Sequence, residues 1–305
     1  MMKVNKKVLQ LIAAILILVF HLWINVTNLE IENYIRLISY VGVDIFFFVS
    51  AYAISQRYDD SFDYSSFIKN RFKNIYLKYL MFLLIALIYK RYHFFIYKLL
   101  GIEIFIKGGG AFLWFLPAIM MVYIIFPLFL KWQNRYKTLI VLIVYFLVAF
   151  LITNYTNYDA IFILLNRIPA ILLAYELSQK DIKNNKLLGF IVLITGLLLL
   201  YFFGYKKRLD YPIHELYYLC ALPLIYGLTS LTEDIKLSRY LLPVANATLE
   251  IYAVQMIFGF DISKKIYQLL QIPLLSNIVT LSLIIIISII IKSAFDKMFS
   301  LKKNF

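Results

Sequence analysis

Long apolar runs separated by short polar segments form the main pattern of the chain. About 20 apolar residues are needed to cross the hydrocarbon core of a bilayer. Runs near that length predict membrane spans over residues 8–26, 35–54, 75–89, 111–130, 138–152, 160–177, 187–203, 215–231, 242–260 and 274–291. The segment 93–106 is either a short interfacial helix or an irregular loop, and the glycines that follow it predict a helix start at Ala111. The expected fold is therefore all-α, a polytopic membrane helix bundle of about ten transmembrane helices.

Composition supports a membrane environment. Of the 305 residues, 63% are hydrophobic and the mean hydropathy is +0.80, whereas a soluble domain is about 45–50% apolar. No polar stretch is long enough for a second domain. We therefore expect one membrane domain over residues 1–305, with no soluble domain. The first apolar run is not followed by a small-residue cleavage site, so we expect it to be retained as an anchor.

The chain is basic, with 31 Lys and Arg against 17 Asp and Glu and a net charge of +14. These cations flank the predicted spans, where they set topology and meet anionic lipid headgroups, so membrane lipid rather than nucleic acid is the expected partner. With a cytoplasmic N-terminus, the cytoplasmic segments hold more Lys and Arg than the outer ones. This bias predicts a multi-pass protein of the cell (plasma) membrane, with both termini cytoplasmic.

Several chemistries leave no signature in the sequence. The one cysteine, Cys220, excludes an internal disulfide framework. The three histidines are far apart and give no metal-ligand spacing, so no metal site is expected. Nucleophile-elbow, Walker-type and dinucleotide-binding glycine motifs are also missing from the sequence.

His21 lies on a polar stripe of the first predicted helix. Residues 10 and 21 are eleven positions apart, which at 100° per residue leaves them only about 20° apart around the helix. Lys7, Gln10, His21 and Asn25 share this stripe with the small Ala14. A polar stripe within the membrane must face protein or a water-filled cavity. His21 is then either a structural residue hydrogen-bonded between helices or a functional one.

Asp44 and Arg167 are charged residues within predicted spans. An acid in an apolar span must be protonated, paired with a cation or bonded to several donors. Beside an imidazole, Asp44 would fix the tautomer of the ring. Arg167 needs an acidic or carbonyl partner, and Glu176 lies on the same stretch. Arg167 therefore binds an anionic ligand or closes an internal ion pair, and the sequence leaves both open.

Arg71, Lys69 and Lys73 form a basic group at the foot of the third predicted span. Such residues often only anchor topology. Alternatively they contact phosphates, because arginine recognises phosphate with two parallel hydrogen bonds. Trp114 is typical of an interfacial aromatic belt.

Six segments, in this order, resemble the acyltransferase-3 family of membrane-embedded O-acyltransferases that act on bacterial cell-surface polysaccharides. The most specific is Gly-Val-Asp-Ile-Phe-Phe-Phe-Val-Ser-Ala-Tyr, residues 42–52. The others are residues 12–21, which end in His21, 67–79 with Arg71, 113–117 with Trp114, 167–174, and 246–252 with Gln255. No esterase-like segment follows the last predicted helix in this sequence, so we expect a stand-alone member of the family.

The resemblance implies transfer of an acyl group, expected to be acetyl, from acetyl-CoA to a sugar hydroxyl. The acceptor would be a polysaccharide or a lipid-linked sugar, within a polysaccharide biosynthesis complex or without one. Acetyl-CoA would be a substrate, and no cofactor would be tightly bound. His21 would be the general base or a covalent acyl carrier, with Asp44 as its orienting partner. The donor would meet Lys7, Gln10, Lys69, Arg71 and Lys73, and the cavity would be lined by Asn25, Trp114 and Arg167.

The chain departs from the family pattern at four positions. A basic residue is common where Gln10 stands, and here Lys7 lies one turn earlier on nearly the same face. Asn74 replaces a second arginine, Leu77 a proline, and Ala174 a glycine. Two other functions suit a basic bundle with a polar stripe: a polysaccharide or small-solute transporter, and a non-catalytic membrane subunit of a synthesis complex.

Overall fold

The computed structural model describes residues 3–21, 29–90, 96–111, 113–132, 134–155, 161–206 and 218–301. Every regular element in these ranges is helical, which confirms the all-α prediction. The helices are α1 Lys6–Phe20, α2 Leu29–Ser55, α3 Tyr64–Arg71, α4 Leu77–Lys90, α5 Ile96–Leu99, α6 Ile104–Lys107, α7 Phe115–Lys131, α8 Lys137–Tyr155, α9 Phe162–Leu165, α10 Ile168–Gln179, α11 Lys186–Leu199, α12 Tyr218–Thr232, α13 Leu242–Asn246, α14 Thr248–Leu270 and α15 Pro273–Leu301. Two π-helical segments, Phe72–Tyr76 and Leu200–Lys206, and a 3-10 turn at Gly108–Gly110 complete the list.

Four helical stretches of the described chain are long and apolar enough to cross a membrane. They are Glu32–Ser55, Tyr64–Tyr89, Lys186–Phe203 and Pro273–Met298. Shorter apolar helices cover Phe115–Lys131, Lys137–Ile152 and Cys220–Thr232. The chain is thus a membrane protein, but the predicted count of about ten spans is not confirmed.

Two predicted spans are interrupted in the structure. The run 160–177 is divided into α9 and α10, because Pro169 fits the first turn of a helix and not its interior. The run 242–260 begins with the five-residue α13 and continues as α14 after a break at Ala247. Apolar content alone does not show such breaks.

Other helices begin away from their predicted positions. The third span was expected from residue 75, but the helical stretch begins at Tyr64 and passes through the π-helical segment before α4. The helix expected at Ala111 begins at Phe115, because the three glycines form the 3-10 turn instead.

The described residues form two compact units. The first contains the described residues within 1–4 and 43–233, and the second contains those within 5–42 and 234–305. Helix α2 passes from the second unit into the first after Gly42. The expectation of one domain over the whole chain stays a prediction.

In the first unit, α11 and α12 pack through small residues. A Cβ atom added to Gly227 would lie 2.7 Å from the carbonyl oxygen of Gly189, and one added to Gly196 would lie 2.9 Å from Cγ of Leu224. Backbones approach this closely only where side chains are small, as is common between membrane helices. The glycines therefore fix the α11–α12 crossing.

In the second unit, α1 packs against α13 and α14, and α14 packs against α15. The first half of α2 also crosses α1 closely, because a Cβ atom on Gly42 would lie 2.7 Å from the carbonyl oxygen of Ala13. Asn5 caps the N-terminus of α1 by accepting a hydrogen bond from the backbone N–H of Val8. These contacts place the polar positions of α1 against α13 and α14.

Candidate active site

Asp44 and Arg167 form a buried ion pair in the first unit. The Arg167 Nη1 donates to Asp44 Oδ1 at 2.5 Å, and the two residues are 1% and 0% exposed. Arg167 Nε also donates to the carbonyl oxygen of Ile163, at 3.1 Å. Arg167 therefore closes an internal ion pair, one of its two predicted roles, and its partner is Asp44. Glu176 instead binds Lys180 Nζ at 2.6 Å and accepts a hydrogen bond from Thr138.

Aromatic residues pack around the Asp44 segment of α2. The rings of Phe46 and Phe47 each lie 5.5 Å from the ring of Phe115, at the start of α7. Trp114, the preceding residue, is buried. It is thus covered by protein, unlike the interfacial aromatic that its sequence position suggested. Its role as a cavity-lining residue stays a prediction.

Arg71 lies between two aromatic rings of the first unit. Its guanidinium carbon is 5.1 Å from the ring centre of Phe67 on α3 and 4.9 Å from that of Tyr123 on α7. The hydroxyl of Tyr123 donates to Ser50 Oγ at 3.3 Å, which fixes the ring. Two cation–π contacts hold the planar guanidinium in one orientation. Lys69 and Lys73 lie close in sequence, exposed and half-buried respectively.

His21 follows the last residue of α1 in the second unit. Its Nδ1 lies 2.9 Å from the carbonyl oxygen of Ile17, one turn earlier. A carbonyl oxygen can only accept a hydrogen bond, so Nδ1 carries the ring proton when the imidazole is neutral. Nε2 then holds the lone pair. His21 therefore has the tautomer in which Nε2 can accept a proton or attack an electrophile.

Gln255 of α14 also contacts His21. Its carboxamide nitrogen lies 3.3 Å from His21 Nδ1, and its Oε1 is buried with no hydrogen-bond partner. The two ends of a carboxamide are assigned from their hydrogen bonds. A 180° rotation places Oε1 beside the Nδ1–H, where it can accept a hydrogen bond. Gln255 is thus a second acceptor for the same ring proton.

Lys7, at the start of α1, is joined to α13. Its Nζ donates to Asn246 Oδ1 at 2.5 Å. Partial burial and the nearby positive charge of Lys292 lower the pKa of Lys7. Gln10 is half-buried and Ala14 is fully buried, whereas Asn25 lies outside the described residues. The predicted stripe thus contacts protein at Lys7, Ala14 and His21.

The site residues are divided between the two units. The first unit brings Asp44 and Arg167 together, and the second brings His21 and Gln255 together. The predicted pairing of His21 with Asp44 stays a prediction. Sequence reasoning did not include Gln255 or Asn246 among the site residues. Both are polar side chains in or beside an apolar run, which is the signal that selected Asp44.

Comparison with known protein families identifies the family to which the chain belongs. The model of the family described as the acyltransferase domain, acyltransferase-3, matches residues 7–294. The match covers nearly the whole chain and includes both units, and the chain therefore belongs to the acyltransferase-3 family. The comparisons with curated proteins and with solved structures give no match.

Proposed function

We propose that the protein is an O-acetyltransferase that moves an acetyl group from acetyl-CoA to a hydroxyl of a cell-surface polysaccharide or glycan precursor. It would act in the plasma membrane with its N- and C-termini in the cytoplasm. Family membership supports acyl transfer in a membrane. The basic residues at the foot of the α3–α4 stretch support a phosphate-bearing donor.

The observation that carries the proposal is the environment of His21. With Nδ1–H bonded to the Ile17 carbonyl, Nε2 holds the lone pair with which the ring can act as a base. An acceptor hydroxyl is a weak nucleophile, and a positioned imidazole that takes its proton accelerates attack by a factor of about 10²–10⁴. Gln255 would hold the ring in this orientation through the reaction.

The proposed reaction has two steps. Nε2 of His21 takes the hydroxyl proton while the oxygen attacks the thioester carbonyl, which gives a tetrahedral intermediate. The carbon–sulfur bond then breaks, and the leaving CoA thiolate takes the proton from the imidazolium. In the alternative route, Nε2 attacks the thioester carbonyl and expels the CoA thiolate, which leaves an acetyl-imidazole. The acceptor hydroxyl then attacks the acetyl carbon and releases the imidazole, and the hydroxyl proton goes to the thiolate.

Arg71 is the proposed anchor for the CoA phosphates, with Lys69 and Lys73 beside it and with Lys7 and Gln10 as further donor contacts. Its rigid placement between Phe67 and Tyr123 favours two-point binding of phosphate. Asp44 is proposed to support His21, and Arg167 to keep the Asp44 carboxylate ionised within the bundle. Trp114 and Asn25 are proposed to line the acyl cavity.

The deciding experiment measures transfer of labelled acetyl from acetyl-CoA. Protein in nanodiscs is given a polysaccharide extract from the native host, and wild type is compared with His21→Ala and with Thr195→Ala. Thr195 is an exposed residue of α11 whose hydroxyl donates to the carbonyl oxygen of Ile191, one turn earlier in the same helix. We expect transfer to vanish in His21→Ala and to persist in the control.

Two further outcomes separate the alternatives. Label that stays on wild type denatured at neutral pH without acceptor, and not on His21→Ala, supports the covalent route over the base. Wild type that neither transfers acetyl nor binds CoA contradicts the proposal and favours the transporter.

A further inference from the structure

A basic cavity lies between α13 and the end of α15 in the second unit. Its volume is about 590 Å³, within the range of about 300–1,000 Å³ that holds small molecules. Its lining residues are Arg239, Leu242, Pro243, Asn246, Ile289, Lys292, Ser293, Asp296 and Lys297. The proposed catalytic groups His21 and Gln255 are not among them.

The charges of this cavity are unbalanced. Its lining holds three cations, Arg239, Lys292 and Lys297, and one acid, Asp296. Lys292 Nζ binds Asp296 at 2.5 Å, so that acid is already engaged by one of the three. Lys7 adds a further positive charge behind Asn246, and partial burial together with the nearby Lys292 lowers the pKa of Lys7. An anion in the cavity would therefore relieve repulsion among these side chains.

Asn246 is oriented to help bind an anion. Its Oδ1 accepts a hydrogen bond from Lys7, so the group that it offers to the cavity is its amide NH₂. Lys7 thus fixes which end of the carboxamide faces a ligand. An amide donor beside two guanidinium or ammonium groups is a suitable set for phosphate oxygens.

The cavity also has an apolar side and lies at the charged end of a candidate membrane span. Leu242, Pro243 and Ile289 line it beside the cations. Ile289 belongs to the apolar part of α15, whereas Lys292 and Lys297 lie at the end of that span. Phosphate headgroups lie at this level of a bilayer.

We propose that this cavity is a binding site for a phosphate ester with an apolar portion. Arg239, Lys297 and the Asn246 amide would bind the phosphate, and Leu242 and Ile289 would contact the apolar part. The phosphate would come from an anionic lipid or from a soluble ester. The inference concerns phosphate binding at this cavity, and its test does not read acetyl transfer. Lys7, a proposed contact of acetyl-CoA, touches the cavity only through its hydrogen bond to Asn246.

The experiment compares wild type with Arg239→Gln/Lys297→Gln and with a matched control, Lys264→Gln/Lys265→Gln. The control removes the same charge from two exposed positions of α14. In the lipid arm, nanodiscs of phosphatidylcholine with added phosphatidylglycerol are analysed for retained phosphatidylglycerol by native mass spectrometry. In the soluble arm, nanodiscs of phosphatidylcholine alone are titrated with pyrophosphate at constant ionic strength, and Tm is recorded.

We expect one arm to show binding that is about tenfold weaker in the cavity variant and unchanged in the control. The responding arm identifies the source of the phosphate. Asn246→Asp is the second variant, because it replaces an amide donor by a negative charge at the same size, and it should weaken the same arm. Equal losses in the cavity and control variants, or no binding in either arm, would show that these cations only anchor topology. Acetyl transfer is not read in either arm, so failure of this site and failure of the proposed enzyme are distinguishable.

Discussion

Asp44 and Arg167 form an ion pair that is buried from water, and this burial determines how a substitution of either residue would change stability. Breaking a buried pair by removing one partner leaves an uncompensated charge and typically costs about 3–5 kcal/mol. We predict that Asp44→Asn and Arg167→Met each lower the free energy of unfolding by about that amount. The measurement is thermal unfolding of the purified variants in detergent.

The double variant Asp44→Leu/Arg167→Met separates folding from chemistry. Replacing both charges by apolar groups of similar volume is often neutral for stability, so we expect its Tm to return toward wild type. Acetyl transfer should remain lost if Asp44 supports His21. A double variant as unstable as the single ones would contradict this account of the pair.

Gln255 is predicted to be a positioning residue. Gln255→Leu removes one acceptor from Nδ1–H and should lower kcat about tenfold, the effect of one lost hydrogen bond, with the KM for acetyl-CoA unchanged. Gln255→Glu should restore kcat and shift the acidic limb of the pH–rate profile to higher pH, because a carboxylate stabilises the imidazolium. Equal pH profiles for wild type and Gln255→Glu would argue against this contact during catalysis.

At the scale of elements, the glycines between α11 and α12 carry a stability prediction. A Cβ atom on Gly189 would collide with the side chain of Ser230, and one on Gly227 with the Gly189 carbonyl. We expect Gly189→Val to destabilise the pair by about 1–3 kcal/mol, the usual effect of overpacking. Gly110→Ala is the control, since its nearest neighbour would be 4.0 Å away. Equal Tm values for the two variants would contradict close packing here.

The contact between α3 and α7 at Arg71 carries a kinetic prediction. Arg71→Gln should raise the KM for acetyl-CoA by about tenfold or more and leave kcat nearly unchanged, because a charged hydrogen bond contributes about 1.5–3 kcal/mol. Arg135→Gln is a matched control: Arg135 also stacks on a tyrosine, at 4.5 Å, but is exposed. If the KM for acetyl-CoA were unchanged in Arg71→Gln, Arg71 would only anchor the membrane topology of the chain.

For the molecule as a whole, the excess of cations on one side of the predicted spans gives a topology prediction. With both termini cytoplasmic, Ser238→Cys should be protected from a membrane-impermeant maleimide in intact cells, and Ile272→Cys should react. Both positions are accessible in the structure, at the two ends of the helices of the second unit. The native Cys220 is buried and gives little background. The reverse labelling pattern would overturn the assigned orientation.

The sequence predicted the fold class and identified the charged and polar residues within the spans, but it did not predict which of these residues contact each other. Apolar runs gave the all-helical membrane class, and Asp44, His21 and Arg167 were found because charge or polarity is costly in lipid. The partner of Arg167 was not predictable, since Asp44 is 123 positions away and Glu176 was nearer. The helix breaks at Ala247 and before Pro169 were missed because hydropathy is averaged over the side chains of a window. It carries no information on the backbone hydrogen bonds at which a helix ends.

The Asp44–Arg167 pair also has a consequence for biosynthesis. Helix α10, which Arg167 precedes, has only 12 residues, about 18 Å of helix against a hydrocarbon core of about 30 Å. It lacks the apolar length to stay in the bilayer unaided, whereas the span that contains Asp44 has that length and leaves the ribosome much earlier. Asp44 is therefore already in the membrane when Arg167 and α10 are inserted, and its carboxylate can bind Arg167 and hold this weakly inserting segment in place. Loss of Asp44 should therefore also lower the amount of protein that reaches the membrane, because quality control degrades chains whose late segment does not insert.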